Sequence, residues 1–355
     1  MSAYDIAVIA GDGIGPEVTR EALKVMDAAA DVFGFSTRRT AYPFGTEHYL
    51  ATQEIFPDAA FEEVKQQRAI FLGAIGDPRV PVGLIEYGVI AKMRFELDLY
   101  VNLRPIKLYD SDLCPLKDKG PADVDMVIVR ENTEDAYVGA HGFAHKGQAN
   151  EVATQTMIYT REGVERVLRY AFGVARGRER KQLTLIDKAN AVRAQDIWTR
   201  AFAEVSADYP DVKTDHAYID AACMWMVKNP EWFDVAVTTN LFGDIITDLG
   251  AMVQGGMGIA ASGNLHPGRV SLFEPIHGSA PKHAGKNVAS PVAAVMAVSM
   301  MLDYLGEHAA AASIETVVSQ LLCSKRLRGV GTGDHPTSEV GDMIVSELRS
   351  VGAPA

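Results

Sequence analysis

Apolar and polar positions along this chain alternate between two periods. The run Ile6 to Ala10 is continuously apolar, ends in the turn GDGIG, and gives way at Glu17 to helical spacing. The strand-like AIFLGAI at 69–75 precedes a helix around Ile90 to Leu97. DMVIVRE, QLTLIDK and FDVAVTTN each lead through a polar or glycine-containing turn into helical periodicity, as at Glu162 to Arg176. Short apolar strands alternating with helices predict an α/β protein. Ligands in open α/β sheets collect beyond the carboxyl ends of strands, so the residues that close these runs are the first places to look for chemistry. The glycine-rich stretch Gln254 to Gly268 and the turn at Pro105 are the expected crossings between domains.

Composition narrows the function classes. A chain of 355 residues, 48% hydrophobic and 23% charged, suits two domains of ordinary size with a substantial core. Its formal charge of -12 argues against nucleic-acid or anionic-membrane partners, which need clustered positive charge. An anionic substrate would therefore need a local basic pocket. The most apolar stretch, Val288 to Leu302, is interrupted by Ser290, Pro291 and Ser299 and falls short of the ~20 residues that span a bilayer. Cys114, Cys223 and Cys323 have neither zinc spacing nor an even count, and the N-terminus lacks an export-signal pattern. A cytoplasmic location is expected.

Candidate chemistry falls into an acidic and a basic set. Asp244 and Asp248 in NLFGDIITDLGAMV share one helix face, where their repulsion calls for a cation or for solvent. Alone, such a pair is most often a solvated face. As hard oxygen ligands they favour Mg²⁺ or Mn²⁺ over zinc, and Asp220 in YIDAACMWM is a candidate third ligand. Arg94 and Arg104 flank RFELDLYVNLRP, and Arg130 closes MVIVR. The planar guanidinium clamps carboxylates bidentately, although a lone arginine at a strand end is ordinarily structural. GDGIGPEV lacks the dinucleotide G-x-G-x-x-G spacing, so it reads either as a tight strand-to-helix turn or as a cofactor-contacting loop. FEPIHGSAPKHAGKNVASP, at 273–291, packs glycine, proline, histidine and lysine into a loop of the kind that wraps a ligand.

Taken together, GDGIGPEV, RFELDLYVNLRP, VRENTEDAYVG, LIDKAN, TTNLFGDIITD and EPIHGSAPKHAGK resemble, in order and spacing, the β-decarboxylating dehydrogenases that act on isocitrate, isopropylmalate, homoisocitrate and tartrate. The resemblance runs from Gly11 to the C-terminal helix. It implies the two-domain isopropylmalate/isocitrate dehydrogenase-like fold rather than a Rossmann fold. A large discontinuous domain would comprise 1–100 plus 254–355 and hold the cofactor, and a smaller one would comprise 101–253, with the active site in the cleft between them.

By the same resemblance, Arg94, Arg104 and Arg130 hold the carboxylates of a small anionic hydroxy acid, and Asp220, Asp244 and Asp248 bind Mg²⁺ or Mn²⁺. Lys188 matches the family base for the hydroxyl and Tyr137 the family acid, and Asp220 is counted among the catalytic residues. Both types suit proton transfer, the lysine among cations and the tyrosine opposite a carbanionic carbon. The expected nicotinamide contacts, for NAD or NADP, are Asn190, Asn240, His277, Gly278, Ser279, Ala280, Lys282, His283 and Ser290. Lys188 and Asp220 would come from the partner subunit, which implies a homodimer with shared sites.

Substrate choice in the family rests on the residues before the first clamp arginine, here Tyr87 to Ala91. Isocitrate enzymes carry a serine six and an asparagine four residues before that arginine, where this chain has Gly88 and Ile90. Isopropylmalate enzymes place two leucines at Ile90 and Ala91, so one apolar wall remains while Ala91 widens the space. 3-Isopropylmalate ranks first, ahead of homoisocitrate, isocitrate, tartrate or malate, and a phosphonomethylmalate. Family NAD enzymes carry an aspartate where Lys282 stands; a cation there, with His283 and Arg326, suits the 2′-phosphate of NADP. A non-catalytic regulatory subunit is the alternative of another class, and it is disfavoured by the presence of every clamp and acid-base residue.

Overall fold

The computed structural model describes residues 2–351. In chain order its strands are β1 (Ala3–Gly11), β2 (Ser36–Tyr42), β3 (Ala69–Ala74), β4 (Val101–Lys107), β5 (Asp125–Glu131) and β6 (His141–Ala144). They continue with β7 (Val152–Gln155), β8 (Gln182–Asp187), β9 (Lys213–Tyr218), β10 (Val235–Thr238), β11 (Ala261–Leu265) and β12 (Leu272–Pro275). The chain divides into two compact units: unit 1 holds the residues up to Leu99, Lys107–Pro121, and those from Ala251 on; unit 2 holds Tyr100–Ile106 and Ala122–Gly250. The segment Lys107–Pro121, which the expected boundaries gave to the second domain, groups with unit 1.

In unit 1 the strands run in the order β2-β1-β3-β12-β11. β1 is parallel to β2 and β3, β12 is parallel to β3, and β11 pairs antiparallel with β12. Every residue of β3 is buried, as a strand covered on both faces requires, which explains why AIFLGA is continuously apolar rather than alternating. The helix Gly15–Phe33 ends where Gly34 takes a left-handed φ of 79°. The helix Val292–Tyr304 is apolar nearly all round because Val292, Ala293, Ala294, Val295, Ala297 and Val298 are all buried.

Unit 2 has the order β4-β5-β10-β8-β9, with β5, β10, β8 and β9 mutually parallel, and carries the separate antiparallel hairpin β6-β7. Its helix Arg161–Gly177 starts at Thr160, whose side chain accepts from the Gly163 amide at 3.0 Å, a cap that contributes about 1 kcal/mol. The helix buries Val164, Val167, Leu168, Ala171 and Phe172 at i, i+3, i+4 spacing. Because the four strands point the same way, Arg130, Lys188, Asp220 and Asn240 all follow from their carboxyl ends. Among the described residues, no helix is long and apolar enough to cross a membrane.

Candidate functional site

β5 delivers Arg130, 2% exposed, to the start of the helix Asn240–Val253. Its Nε donates to Asn240 Oδ1 at 2.9 Å and its Nη1 to Asp244 Oδ1 at 2.5 Å. The helix must be bare where this side chain crosses it: a Cβ on Gly243 would meet Arg130 Cγ at 2.4 Å. The Tyr137 hydroxyl donates to Asp244 Oδ2 at 2.8 Å, and the Arg130 guanidinium carbon lies 5.6 Å from the centre of the Tyr137 ring. Arg104 is buried, with its Nε donating to Asn102 Oδ1 at 2.7 Å.

These cations divide the two helix carboxylates. Burial works to raise Asp244, but the charges of Arg130 and Arg104 and the Tyr137 hydrogen bond outweigh it and hold the carboxyl below its ordinary range. Asp248 goes the other way: desolvation, joined by repulsion from Asp244, outweighs the two arginines and raises it. A pair of hard oxygen donors on one helix face, one of them pushed towards protonation by its surroundings, fits a divalent cation such as Mg²⁺ or Mn²⁺.

Asp220 stands apart from that pair. It lies in the first turn of the helix Ile219–Lys228, exposed, and Lys188 Nζ donates to its Oδ1 at 2.6 Å, which holds the carboxyl low. Among the described residues no three His, Cys, Asp or Glu side chains gather to hold a metal ion, so the three aspartates do not form one cluster within a single chain. Lys188 is correspondingly set against an anion and the ring of Tyr218, whose centre is 6.0 Å away.

In unit 1, Arg94 follows a π-helical turn at Tyr87–Ala91, a feature that occurs frequently at functional sites. Arg94 Nη2 reaches Glu274 Oε1 at 3.2 Å, and its buried Nε has no hydrogen-bond partner among the described residues, as a group awaiting a ligand would. Glu274 also accepts from Asn264 Nδ2 at 2.8 Å. Ile90 and Ala91 are half-buried within the π-helical turn.

The loop after β12 is held from below. Ser279 donates its hydroxyl to the Gly76 carbonyl, and its own carbonyl accepts from the Ile14 amide at 2.8 Å. Glu17 accepts from the amides of Gly285 and Asn287. Asp12 accepts from the Thr46 amide at 2.6 Å, the Thr46 hydroxyl at 3.1 Å and the Gly76 amide at 2.9 Å. Ala280 takes a left-handed φ of 40°. Gly278 and Lys282 are exposed, His283 is half-buried, and among the described residues neither Lys282 nor His283 has a carboxylate partner. Burial pushes the His277 imidazole down and keeps it neutral, with its Nε2 buried and unpartnered among the described residues. A loop with the exposed ammonium of Lys282 and an unmet imidazole nitrogen fits an anionic, hydrogen-bonding cofactor.

Two expected cofactor contacts are engaged elsewhere. Asn240 gives its amide oxygen to Arg130 and donates its nitrogen to the Glu134 carbonyl at 3.1 Å, so it supports the arginine. Ser290 donates to the Gly258 carbonyl at 3.4 Å and accepts from Val292 at the entry to a helix. Asn190 is exposed just past β8, in unit 2. Asp12, Glu17 and Glu274 were missed; a carboxylate set between glycines at a strand end, as Asp12 is, was the available signal.

The family model described as isocitrate/isopropylmalate dehydrogenase matches residues 5–344. A 3-isopropylmalate dehydrogenase of Thermobifida fusca is 48% identical over 357 residues, covering 99% of this chain and 100% of that protein. One of Mycobacterium avium is 49% identical over 346 residues, covering 97% and 99%. Among solved structures, an isocitrate dehydrogenase from Methylococcus capsulatus has a TM-score of 0.88 at 35% identity, covering 98% of this chain and 99% of that one. A beta-decarboxylating dehydrogenase from Thermococcus kodakarensis has a TM-score of 0.79 at 32% identity, covering 98% and 97%.

Proposed function

We propose that this chain, which belongs to the isocitrate/isopropylmalate dehydrogenase family, oxidises and decarboxylates a 3-substituted malate, with 3-isopropylmalate as its substrate, using NAD or NADP and Mg²⁺ or Mn²⁺. The observation that carries the reading is the Asp244 carboxylate shared between Arg130 and Tyr137, with Asp248 one turn along the same helix. Arg104 and Arg130 grip substrate carboxylates with their planar forks, and Arg94 is assigned the same role. Lys188 takes the proton of the C2 hydroxyl, and Tyr137 returns a proton to C3 after CO₂ leaves. A metal ion held by Asp244 and Asp248 would supply Lewis-acid polarisation of the substrate, and a bound nicotinamide would supply the hydride acceptor.

Asp244 and Asp248 hold the metal together with Asp220 of a second copy, which arrives with its Lys188. The separation of the Lys188-Asp220 pair from the Asp244-Asp248 pair within one chain supports a homodimer with shared sites. So do the exposed Met224, Val227 and Ile245 on the helices that carry Asp220 and Asp244. His277, Gly278, Ser279, Ala280, Lys282 and His283 line the cofactor loop, with Lys282 and His283 placed to favour the 2′-phosphate of NADP. Asn190 contacts the cofactor, while Asn240 and Ser290 act through Arg130 and the loop backbone.

A reduction assay with Mn²⁺ tests the reading, crossing NAD and NADP against 3-isopropylmalate, isocitrate, homoisocitrate, malate, tartrate and phosphonomethylmalate. Turnover is expected with 3-isopropylmalate at the highest kcat/KM. No turnover with any of the six would overturn the reaction, and a faster alternative would overturn the substrate.

A further inference from the structure

The stretch VRENTEDAYVG contains an aspartate that the proposed chemistry does not use. Asp135 is fully buried and holds a left-handed φ of 69°, a conformation that glycine adopts more readily. Its backbone forms an isolated bridge with Ile158, through hydrogen bonds of 2.8 Å and 3.3 Å. That bridge brings the next residue, Tyr159, onto the Asp135 carboxylate.

The carboxylate accepts three hydrogen bonds, from groups of three segments. Oδ1 accepts from the Ala136 amide at 2.8 Å, in the turn that leads to Tyr137, and from the Tyr159 hydroxyl at 2.8 Å. Oδ2 accepts from the Leu241 amide at 2.9 Å, in the first turn of the helix that carries Asp244 and Asp248, where the helix dipole also favours an anion. Burial keeps the Tyr159 hydroxyl protonated, so it donates to Asp135 while its oxygen accepts from Gln195 Nε2 at 2.9 Å. Gln195 is fully buried, and its Oε1 accepts from the Lys188 backbone amide at 2.6 Å. The Tyr159 ring rests edge-on against the fully buried Trp198, with centres 6.5 Å apart.

We propose that Asp135, Tyr159 and Gln195 form a positioning relay that sets the Lys188-Asp220 group relative to the Tyr137-Asp244 group within each subunit. The hydrogen bonds run without a gap from the turn that fixes one group to the turn and helix that fix the other. The partners are neutral apart from one carboxylate, and charge-assisted bonds to that carboxylate are the strongest links available. Asp135 is retained at a backbone angle better suited to glycine because only a carboxylate serves all three elements. The inference rests on the roles proposed above for Tyr137 and Lys188.

The test uses the full-length chain with Mn²⁺ and its nicotinamide cofactor, and follows two partial reactions. Exchange of the C3 proton of the 2-oxo acid product with deuterated water reads Tyr137, and single-turnover hydride transfer reads Lys188. Tyr159→Phe removes one oxygen from the relay and keeps the ring, while Asp135→Gly removes the carboxylate and relaxes the backbone. Each is expected to slow both partial reactions by on the order of 10- to 100-fold, the scale of a misplacement of about 1 Å, with the KM for the hydroxy acid little changed. Combining Tyr159→Phe with Gln195→Leu should slow them no further than the worse single variant. Tyr137→Phe and Lys188→Met serve as controls, each blocking its own partial reaction. If either control retains its step, the assignment of those two roles is overturned. If both controls are blocked while folded Tyr159→Phe runs both steps at the unaltered rate, or loses only one of them, the relay alone is overturned.

Discussion

Tyr137 donates its hydroxyl hydrogen to the Oδ2 of Asp244, whose other oxygen is held by Arg130. The proposed proton donor is thus aimed by a proposed metal ligand, and a single carboxylate organises both an acid and a cation. The acid and the metal should therefore fail together when this carboxylate is changed.

Asp244→Asn keeps the size of the side chain and removes its charge. Metal-dependent turnover is expected to fall by at least the roughly 10- to 100-fold that follows loss of even a supporting contact at a metal ligand. The variant should still fold, with stability lowered by about 1 to 3 kcal/mol, because the buried Arg130 loses its charged partner while the Asn oxygen can still accept its hydrogen bond. Mn²⁺ titration calorimetry beside the activity assay checks this; undiminished Mn²⁺ affinity would remove Asp244 from the metal site.

Glu131, buried at the end of β5, is pushed up to about 7 chiefly by its burial, against the hydrogen bonds it accepts from Thr133 and Glu134. A carboxyl raised in the folded state binds its proton more tightly there than in the unfolded chain. Its favourable contribution is complete below the ordinary value of 4.5 and is lost as pH rises through about 7, a loss on the order of 3 kcal/mol. Urea unfolding across that window should show stability declining with pH, and Glu131→Gln should flatten this component. An unchanged slope in the variant would assign the decline to other groups.

Gly88 sits in the π-helical turn where a Cβ would lie 2.4 Å from Ile55 Cγ2. Ile55 is branched at Cβ and yields little, so Gly88→Ala should destabilise by about 1 to 3 kcal/mol, measured by calorimetry. Adding Ile55→Ala should recover part of the loss. A variant as stable as the original would show that the turn accommodates a side chain.

Ala91, half-buried in the same turn, is proposed to face the substrate's 3-substituent, where a larger apolar residue would narrow the space. Ala91→Leu is expected to raise kcat/KM for 3-isopropylmalate relative to malate by roughly tenfold, the low end of what 1 to 3 kcal/mol of apolar packing produces. Steady-state kinetics with both substrates decide it, and a fall in that ratio would place the substituent elsewhere.

Lys282 is exposed and has no carboxylate partner among the described residues. Replacing it by aspartate should lower the NADP-to-NAD ratio of kcat/KM by at least about tenfold, as loss of a charge-assisted hydrogen bond worth about 1.5 to 3 kcal/mol requires. An unmoved ratio would remove Lys282 from the cofactor's ribose.

The central strands were legible because their burial leaves little choice of residue: AIFLGA and the VAV of VAVT are apolar throughout and fully buried, whereas the exposed β2 and β9 carry no such run. The site was legible only in halves. Arg130 and Asp244 are 114 positions apart, and nothing in either segment announces that Gly243 clears the path between them. YGVIA reads as ordinary helix, and nothing in its short apolar spacing announces the π-helical turn or the close approach of Ile55 to Gly88. The support Asn240 gives to Arg130 was illegible for a related reason: a polar residue at a strand end shows its partners only once its neighbours are known, and here they are Arg130 and Glu134. The position of Lys107–Pro121 was likewise set by contacts distant in sequence.

Asp12 accepts hydrogen bonds from Thr46 and Gly76, and Gly76 in turn receives the hydroxyl of Ser279. Segments that follow β1, β2, β3 and β12 are therefore fastened to one another rather than each to its own strand. They are mechanically coupled: exchanging the Ser279 segment for that of a relative would disturb the segments at Thr46 and Gly76 unless they were exchanged with it. An engineer transplanting any one of these segments between such enzymes is transplanting a four-part rim.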